Sequence, residues 1–231
     1  MEGDTLTILS TLGVMEAMRA LGPGFEAEAG LRLAADYAPT KSLLGRIAAG
    51  EAADLAFLTA DAVDDLMASG TLRPGSRTDL ARSFVGVAVR AGAPRPDIAS
   101  AEAFVRTLLA AKSIAYSRAG ASGIFFAGLI KRLGIEAEVN AKATIIPEGL
   151  TGALAARGEA EIAIQQVSEL MAVPGIDILG RLPGEIAGIT TFSGAIFAAT
   201  ARAEQARALL AFLTRPAHRA VFAEGGLEPV F

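Results

Sequence analysis

Residues 31–70 read LRLAADYAPTKSLLGRIAAGEAADLAFLTADAVDDLMASG, and this stretch decides the fold class. The pattern predicts a strand over LRLAADYA and a helix over SLLGRIAAGE that ends near Gly50. It then predicts a buried strand over ADLAFLTA and a helix that Asp61 opens and Gly70 closes. Strands that alternate with helices in this way indicate an α/β fold with a parallel sheet covered on both faces.

The same alternation continues on both sides of this stretch. Upstream, TLTILST (5–11) predicts a strand that ends at Ser10 or Thr11, and the next helix shows apolar residues at helical spacing. Downstream, the proline-bearing segment AGAPRPDIAS (91–100) interrupts the rhythm. Further strands are predicted over SFVGVAVRAG, SIAYS, AEIAIQQ and TTFSGAIFAAT, and further helices over AEAFVRTLLAAK, GASGIFFAGLIKRLG, GLTGALAARGE, ARAEQARALLAFLTR and PAHRAVFAEGG. The chain is therefore two α/β units, the first completed by C-terminal helices.

Composition excludes several classes of partner and site. The 21 Lys and Arg residues are balanced by 25 Asp and Glu residues, so nucleic acid and anionic membranes are not expected partners. No uncharged run approaches the roughly 20 residues that membrane insertion requires. The absence of cysteine removes disulfides, thiolate nucleophiles and Cys-bound metals, and the one histidine, His218, makes triads and multi-His metal sites improbable.

The sequence shows no pair of nucleophile and base, so we predict no enzyme, no catalytic residue, no metal site and no cofactor. The N-terminal residues MEGDTLTILST carry acidic side chains where a secretory signal would carry basic ones. Either the protein stays inside the cell or a leader has been removed.

Polar side chains collect where predicted strands run into helices, which is where open parallel sheets bind ligands. These strand ends carry Ser10 and Thr11, then Thr40, Lys41 and Ser42, then Ser117, Ala121, Ser122 and Gly123, and finally Gln165, Gln166 and Ser168. A helix start offers unpaired N–H groups and about half a positive charge, so it holds small anions well. Three strand-to-helix junctions of the same composition, drawn from both units, favour one shared anion site.

Each of these residues also has a structural interpretation. Any Ser or Thr can simply cap its helix, Lys41 can be solvated, and each glutamine can be a satisfied amide at a strand end. The segment GASGIFF (120–126) is similar to a loose glycine-rich anion loop, without the GxGxxG or P-loop pattern.

The order of these segments resembles the periplasmic molybdate-binding proteins of ABC importers, within the type II periplasmic binding protein fold. The family's A-S-L turn is similar to STL (10–12). Its pattern LA-x-QI-x-x-G-x-x-A-D-x-F-x-S-A-D is similar to TKSLLGRIAAGEAADLAFLTAD (40–61). Its LVVVAP strand, PAGIYA turn and GIVYxSD segment are similar to FVGVAVRAG (84–92), ASGIFFAGL (121–129) and GEAEIAIQQVSE (158–169). The family's C-terminal pattern is similar to ALLAFLTRPAHRAVFAEGGLEP (208–229), so the likeness covers nearly the full length.

The resemblance implies a ligand site by position. The family's two oxyanion-binding hydroxyls fall on Thr11, with Ser10 beside it, and on Thr40. Its two backbone donors fall on Ser122 and near Leu150. Its ligand tyrosine falls on Gln166, or on Gln165 if the alignment slips by one residue. With an amide in place of the phenol, a related oxyanion or a small carboxylate is as compatible as molybdate.

The resemblance also implies two lobes, residues 1–85 with 192–231 and residues 86–191, joined by two crossing strands. Each lobe would be a mostly parallel sheet flanked by helices, and the lobes would close on a small oxyanion such as molybdate or tungstate. The implied function is a solute-binding protein for ABC import, periplasmic, with an ABC permease as its partner. The alternative is an intracellular sensing or regulatory domain of the same fold that binds another anion or a small carboxylate, since no leader is visible.

Overall fold

The computed structural model describes residues 5–231, and they divide into two compact units. Unit 1 is Met1–Arg82 with Thr191–Phe231, and unit 2 is Ser83–Thr190. Both boundaries fall inside long strands, β4 (Thr78–Arg90) and β9 (Ile189–Ile196). The lobe boundaries that the resemblance implies, after residues 85 and 191, stay a prediction.

Unit 1 contains residues 31–70, the stretch whose pattern indicates the fold class. Its elements besides β4 and β9 are β1 (Thr5–Ser10), α1 (Met15–Ala29), β2 (Arg32–Tyr37), α2 (Thr40–Ala48), β3 (Leu55–Thr59), α3 (Ala60–Ala68), α9 (Ala203–Leu213), α10 (Arg219–Glu224) and β10 (Glu228–Pro229). Strand β1 pairs in parallel with β2 and β3, whereas β9 is antiparallel to β3, and β10 is antiparallel to β4.

Strand periodicity explains why both faces of the unit 1 sheet are covered. Leu55 and Phe57 of β3 pack into the cluster with α1 and α9, while Ala56 and Leu58 pack into the cluster with α2 and α3. All four side chains are fully buried. Successive side chains of a strand point to opposite faces, so an apolar run such as ADLAFLTA requires helices on both sides.

Unit 2 repeats the arrangement. Its elements, after β4, are α4 (Ala101–Ala110), β5 (Ile114–Ser117), α5 (Ala121–Arg132), α6 (Glu136–Asn140), β6 (Ala143–Ile146), α7 (Thr151–Ala156), β7 (Ile162–Gln166), α8 (Val167–Met171) and β8 (Ile176–Arg181). Strand β5 pairs in parallel with β6 and β7, and β4 is antiparallel to β7 and β8. Ile162 and Ile164 join one buried cluster, and Ala163 joins the cluster on the other face.

The structure corrects several details of the sequence interpretation. Strands β6, β8 and β10 and helices α6 and α8 were not predicted. Strands β6 and β8 lack a clear alternation of buried and exposed residues, β10 has only two residues, and each of the two helices has only five. The N-cap of α3 is Thr59 rather than Asp61, which lies in the first turn. Residues Thr40 to Ser42 do not cap α2, because its N-cap is Pro39 and no side chain caps it. Gly50 and Gly70 follow their helices with positive φ, as a C-terminal glycine does.

A buried aspartate fixes the strands that carry the first candidate residues. Asp54, just before β3, accepts hydrogen bonds from the Thr7 N–H at 2.8 Å, the Thr7 hydroxyl at 2.9 Å and the Thr200 hydroxyl. Burial alone would raise the Asp54 pKa, but the hydrogen bonds from Thr200 and Thr7 outweigh it, so this pKa lies below its usual value. The ionised carboxylate therefore holds β1 in register with β3 at neutral pH.

Candidate functional site

In unit 1, the end of β1 and the start of α2 bring polar side chains together. The Thr40 hydroxyl of α2 donates to the Thr11 hydroxyl, which follows β1, with 3.4 Å between the two oxygens. Both side chains are buried, at 5% and 3% exposure. This bond is long for two hydroxyls, so it leaves both groups free to turn toward a better acceptor. The structure thus pairs two predicted residues that are 29 positions apart in sequence.

The other unit 1 residues have defined surroundings. The Ser10 hydroxyl donates to the Thr11 carbonyl at 3.0 Å, and the Thr11 N–H is bound to the Phe57 carbonyl at 2.9 Å. In α2 the first N–H with a helical acceptor is that of Leu43, which reaches Pro39. The amides before it are the unpaired donors that every helix start presents. Lys41 is exposed in this first turn. We call Ser10, Thr11, Thr40 and Lys41 the unit 1 cluster.

In unit 2, α5 begins directly behind the end of β5. Gly120 is its N-cap, and the first paired amide is that of Ile124, which reaches the Gly120 carbonyl. Ser122 lies in this first turn and is 3% exposed. Gly123 is required for steric reasons, because a Cβ there would lie 1.4 Å from the Ser117 carbonyl oxygen. The glycine therefore lets the helix start close to the strand end, whether or not it also contacts a ligand.

The two adjacent glutamines behave differently, because successive side chains of β7 point to opposite faces. Gln165 Oε1 accepts from the Thr151 N–H at 2.7 Å and from the Thr151 hydroxyl at 2.9 Å. Its Nε2 donates to the Gly149 carbonyl at 3.2 Å. Gln165 is thus a satisfied amide that occupies the start of α7, and we leave it out of the proposed ligand contacts. Leu150 is the N-cap of α7, and its predicted backbone contact stays a prediction.

Gln166 is 1% exposed and has only one of its two amide ends paired. Its Nε2 donates to the Thr190 hydroxyl at 2.9 Å. Its Oε1 is the only buried side-chain nitrogen or oxygen within residues 5–231 that lacks a hydrogen-bond partner. A half-turn of the Gln166 amide exchanges the positions of its nitrogen and oxygen, and the Thr190 hydroxyl can donate or accept. Either end of the amide can therefore be the unpaired one. Such a group costs free energy unless a ligand satisfies it.

Two residues of this region, Thr190 and Glu169, were not predicted from the sequence. Thr190 lies 24 residues from Gln166, and no local pattern pairs them. Glu169 lies three positions after Gln166, the N-cap of α8, and this is the capping-box spacing that could have revealed it. Burial raises the Glu169 pKa to about 7, although hydrogen bonds from the Gln166 backbone and the Gln165 side chain oppose that rise. We call Ser122, Gly123, Leu150, Gln166 and Thr190 the unit 2 cluster.

Neither cluster provides metal ligands. Across residues 5–231, no three His, Asp or Glu side chains are grouped so as to hold a metal ion. None of the helices described there combines the length and apolar character needed to cross a bilayer.

Comparison with known proteins identifies the family. The model of the family described as bacterial extracellular solute-binding protein matches residues 6–228. An aconitate isomerase from Pseudomonas sp. is 40% identical, with 98% of this chain and 88% of that protein covered. The periplasmic molybdate-binding protein of Azotobacter vinelandii superposes with a TM-score of 0.79 at 17% identity, over 96% of this chain and 98% of the other. The sulfate-binding protein SubI of Mycobacterium tuberculosis gives a TM-score of 0.77 at 16% identity, over 98% and 87% of the two chains.

The two structural likenesses confirm the predicted fold, and the family model confirms the predicted class of protein. They leave the ligand open, since relatives in this set are named for different molecules. The chain belongs to the bacterial extracellular solute-binding protein family and has the type II periplasmic binding protein fold.

Proposed function

We propose that this protein binds a small carboxylate anion of the aconitate class, and that the residues of the unit 1 and unit 2 clusters are its candidate donors. The observation that carries the proposal is the free, buried amide end of Gln166, the residue on which the resemblance to the molybdate-binding proteins puts the ligand tyrosine of that family. With the Thr190 hydroxyl on its oxygen, this amide would donate its NH₂ to a carboxylate. The relative named aconitate isomerase supports a ligand with several carboxylates.

The chemistry of the unit 1 cluster suits such a ligand. The hydroxyls of Thr11 and Thr40 and the first amides of α2 would donate to one carboxylate, and the helix start adds favourable electrostatics. The side chain of Lys41 has no ion pair or hydrogen bond with any residue from 5 to 231, so its ammonium is available for a second carboxylate. A ligand with several negative charges gains more from this cation than a compact divalent oxyanion does.

We expect a binding panel to separate the ligand classes. The panel would compare cis-aconitate, trans-aconitate, citrate, molybdate, tungstate and sulfate by isothermal titration calorimetry. We expect the aconitate isomers to bind, and Thr40→Val to weaken their binding by about 10- to 100-fold. A hydrogen bond to a charged group contributes about 1.5–3 kcal/mol, and valine keeps the shape of threonine without the hydroxyl.

Thr144→Val is the matched control, because Thr144 is exposed on β6 and outside both clusters. Tight binding of molybdate without binding of either aconitate isomer would overturn the carboxylate proposal. Unchanged aconitate binding in Thr40→Val would remove the unit 1 cluster from the site. In a purely binding protein, the ligand would then pass to an ABC permease, as the molybdate family implies.

A second candidate function is isomerisation of aconitate, which the 40% identical relative favours. The change of double-bond geometry can proceed by removal of a proton from the CH₂ beside the double bond and its return to the far carbon of the allyl system. One C–H bond breaks and one forms, so no oxidant or reductant is needed. The buried carboxyl of Glu169, next to Gln165 and Gln166, is the group we assign to this proton transfer, since its pKa of about 7 suits a base at neutral pH.

Glu169→Gln tests this assignment. We expect the wild-type protein to convert cis-aconitate to trans-aconitate in D₂O with deuterium entering the product, as ¹H NMR would show. The variant should lose conversion by at least 100-fold and keep cis-aconitate binding within about threefold, since general base catalysis contributes about 10²–10⁴-fold. No conversion by the wild type above the protein-free rate, with aconitate bound, would leave the binding function alone.

A further inference from the structure

A cavity of about 570 Å³ lies within unit 2, apart from the clusters described above. It opens beside Ile162 at the start of β7, whereas Gln166 is at the other end of that strand. Its lining residues are Val89, Arg90, Ala93, Pro94, Pro96, Asp97, Ala103, Arg106, Thr107, Ala110, Ala111, Gly158, Glu161 and Ile162. The volume falls in the range of about 300–1,000 Å³ that small-molecule sites occupy.

The sequence explains why this space is hollow. Helix α4 faces the cavity with Ala103, Thr107 and Ala110, which recur at positions i, i+4 and i+7 and share one face of the helix. The Thr107 hydroxyl is engaged, because it donates to the Asp97 carbonyl at 2.7 Å. The opposite wall is the segment AGAPRPDIAS, whose prolines limit backbone freedom. The side chains of Ala103, Thr107 and Ala110 are too short to fill the space, so it stays open.

The polar groups that line the cavity differ in the hydrogen bonds and ion pairs that they already make. Glu161 Oε2 accepts the Lys112 N–H at 2.7 Å, and Asp97 Oδ1 accepts the Ala99 N–H at 2.9 Å. The Arg90 guanidinium has no hydrogen bond or ion pair with residues 5–231, and Arg106 makes only a loose exposed contact of 3.9 Å with Glu102. Arg90 and Arg106 are therefore the cationic groups at the cavity that no acceptor holds closely, and guanidinium donors suit a carboxylate.

We propose that this cavity binds a small amphipathic acid, with its apolar body against the buried side chains and its carboxylate on Arg90 and Arg106. Val89, Ala103, Ala111 and Ile162 are each less than 9% exposed and supply the apolar floor. A medium-chain fatty acid has the required chemistry. The site is independent of the proposed function, because it shares no residue with either cluster.

Octanoate is the probe we would use, with octanamide as an uncharged molecule of the same length. Binding would be measured by NMR shifts of the amides of α4 and β7. We expect octanoate to bind more tightly than octanamide, and Ala110→Phe, which fills the cavity from an exposed position, to weaken octanoate at least tenfold. Leu109→Phe is the matched control, since residue 109 is exposed on the same helix but does not line the cavity. Arg90→Ala combined with Arg106→Ala should lower octanoate affinity to that of octanamide.

Three results would overturn this proposal. They are no octanoate shifts at millimolar concentration, equal octanoate affinity in Ala110→Phe and wild type, and equal octanoate affinity in the double arginine variant and wild type. Thr40→Val separates the two proposals. It should leave octanoate binding unchanged, so failure of the cavity and failure of the anion site are distinguishable.

Discussion

Gly123→Ala is expected to destabilise the protein by more than about 3 kcal/mol, because the new methyl group has no space. An ideal Cβ at position 123 would lie 1.4 Å from the Ser117 carbonyl oxygen and 2.4 Å from the Ser117 carbonyl carbon. Both are backbone atoms, so no side-chain rotation can relieve the overlap. Helix α5 would have to move away from β5, and the helix start that carries Ser122 would move with it. Urea denaturation measures the loss as a lower midpoint.

Gly128→Ala is the matched control in the same helix. Its nearest neighbour would be the Arg132 guanidinium at 3.4 Å, which is the flexible end of a side chain. Alanine is a better helix former than glycine by about 1 kcal/mol, so this variant should be as stable as the wild type or more stable. Equal urea midpoints for Gly123→Ala and Gly128→Ala would show that the contact between α5 and Ser117 does not constrain the fold.

The second large effect is a loss of stability between pH 5 and pH 8 that is due to Glu169. Burial raises the pKa of this carboxyl from 4.5 to about 7, so the folded protein keeps the proton over a range in which the unfolded chain has lost it. Stability falls with rising pH wherever the native state binds more protons. The contribution is complete below about pH 4.5 and is lost as the pH rises through 7. Between pH 5 and pH 8 we expect a loss of about 2.5 kcal/mol.

Glu169→Gln should remove this pH dependence, because an amide does not titrate. Its free energy of unfolding, from urea titrations at pH 5, 6, 7 and 8, should vary by less than about 1 kcal/mol over the range in which the wild type loses about 2.5. The carboxyls with lowered pKa, such as Asp54 and Asp79, lose their contributions only at more acidic pH. A wild-type stability that is flat or rises from pH 5 to pH 8 would contradict a protonated Glu169.

Local sequence patterns were enough to predict the fold class. The strand and helix signals of residues 31–70 and their continuation predict an α/β protein, since periodicity depends on neighbours along the chain. The short strands β6 and β8 were not predicted, because most of their residues are partly exposed and show no alternation of buried and exposed positions. The order of the motifs was enough to predict the type II periplasmic binding protein fold, and the structural likenesses confirm this fold. Local patterns were misleading at Thr40, which was expected to cap helix α2. The N-cap of α2 is Pro39 instead.

The sequence by itself determined most of the helices and strands, their order, and the set of strand ends at which polar residues gather. Only the tertiary structure decided what each polar group contacts. The hydroxyls of Thr11 and Thr40 are hydrogen-bonded to each other, and the side chain of Gln165 accepts a hydrogen bond from the Thr151 N–H. One end of the Gln166 amide is left unpaired. The physical reason is that element formation depends on residues three or four positions apart, whereas hydrogen-bond partners and cavities depend on residues brought together from distant parts of the chain.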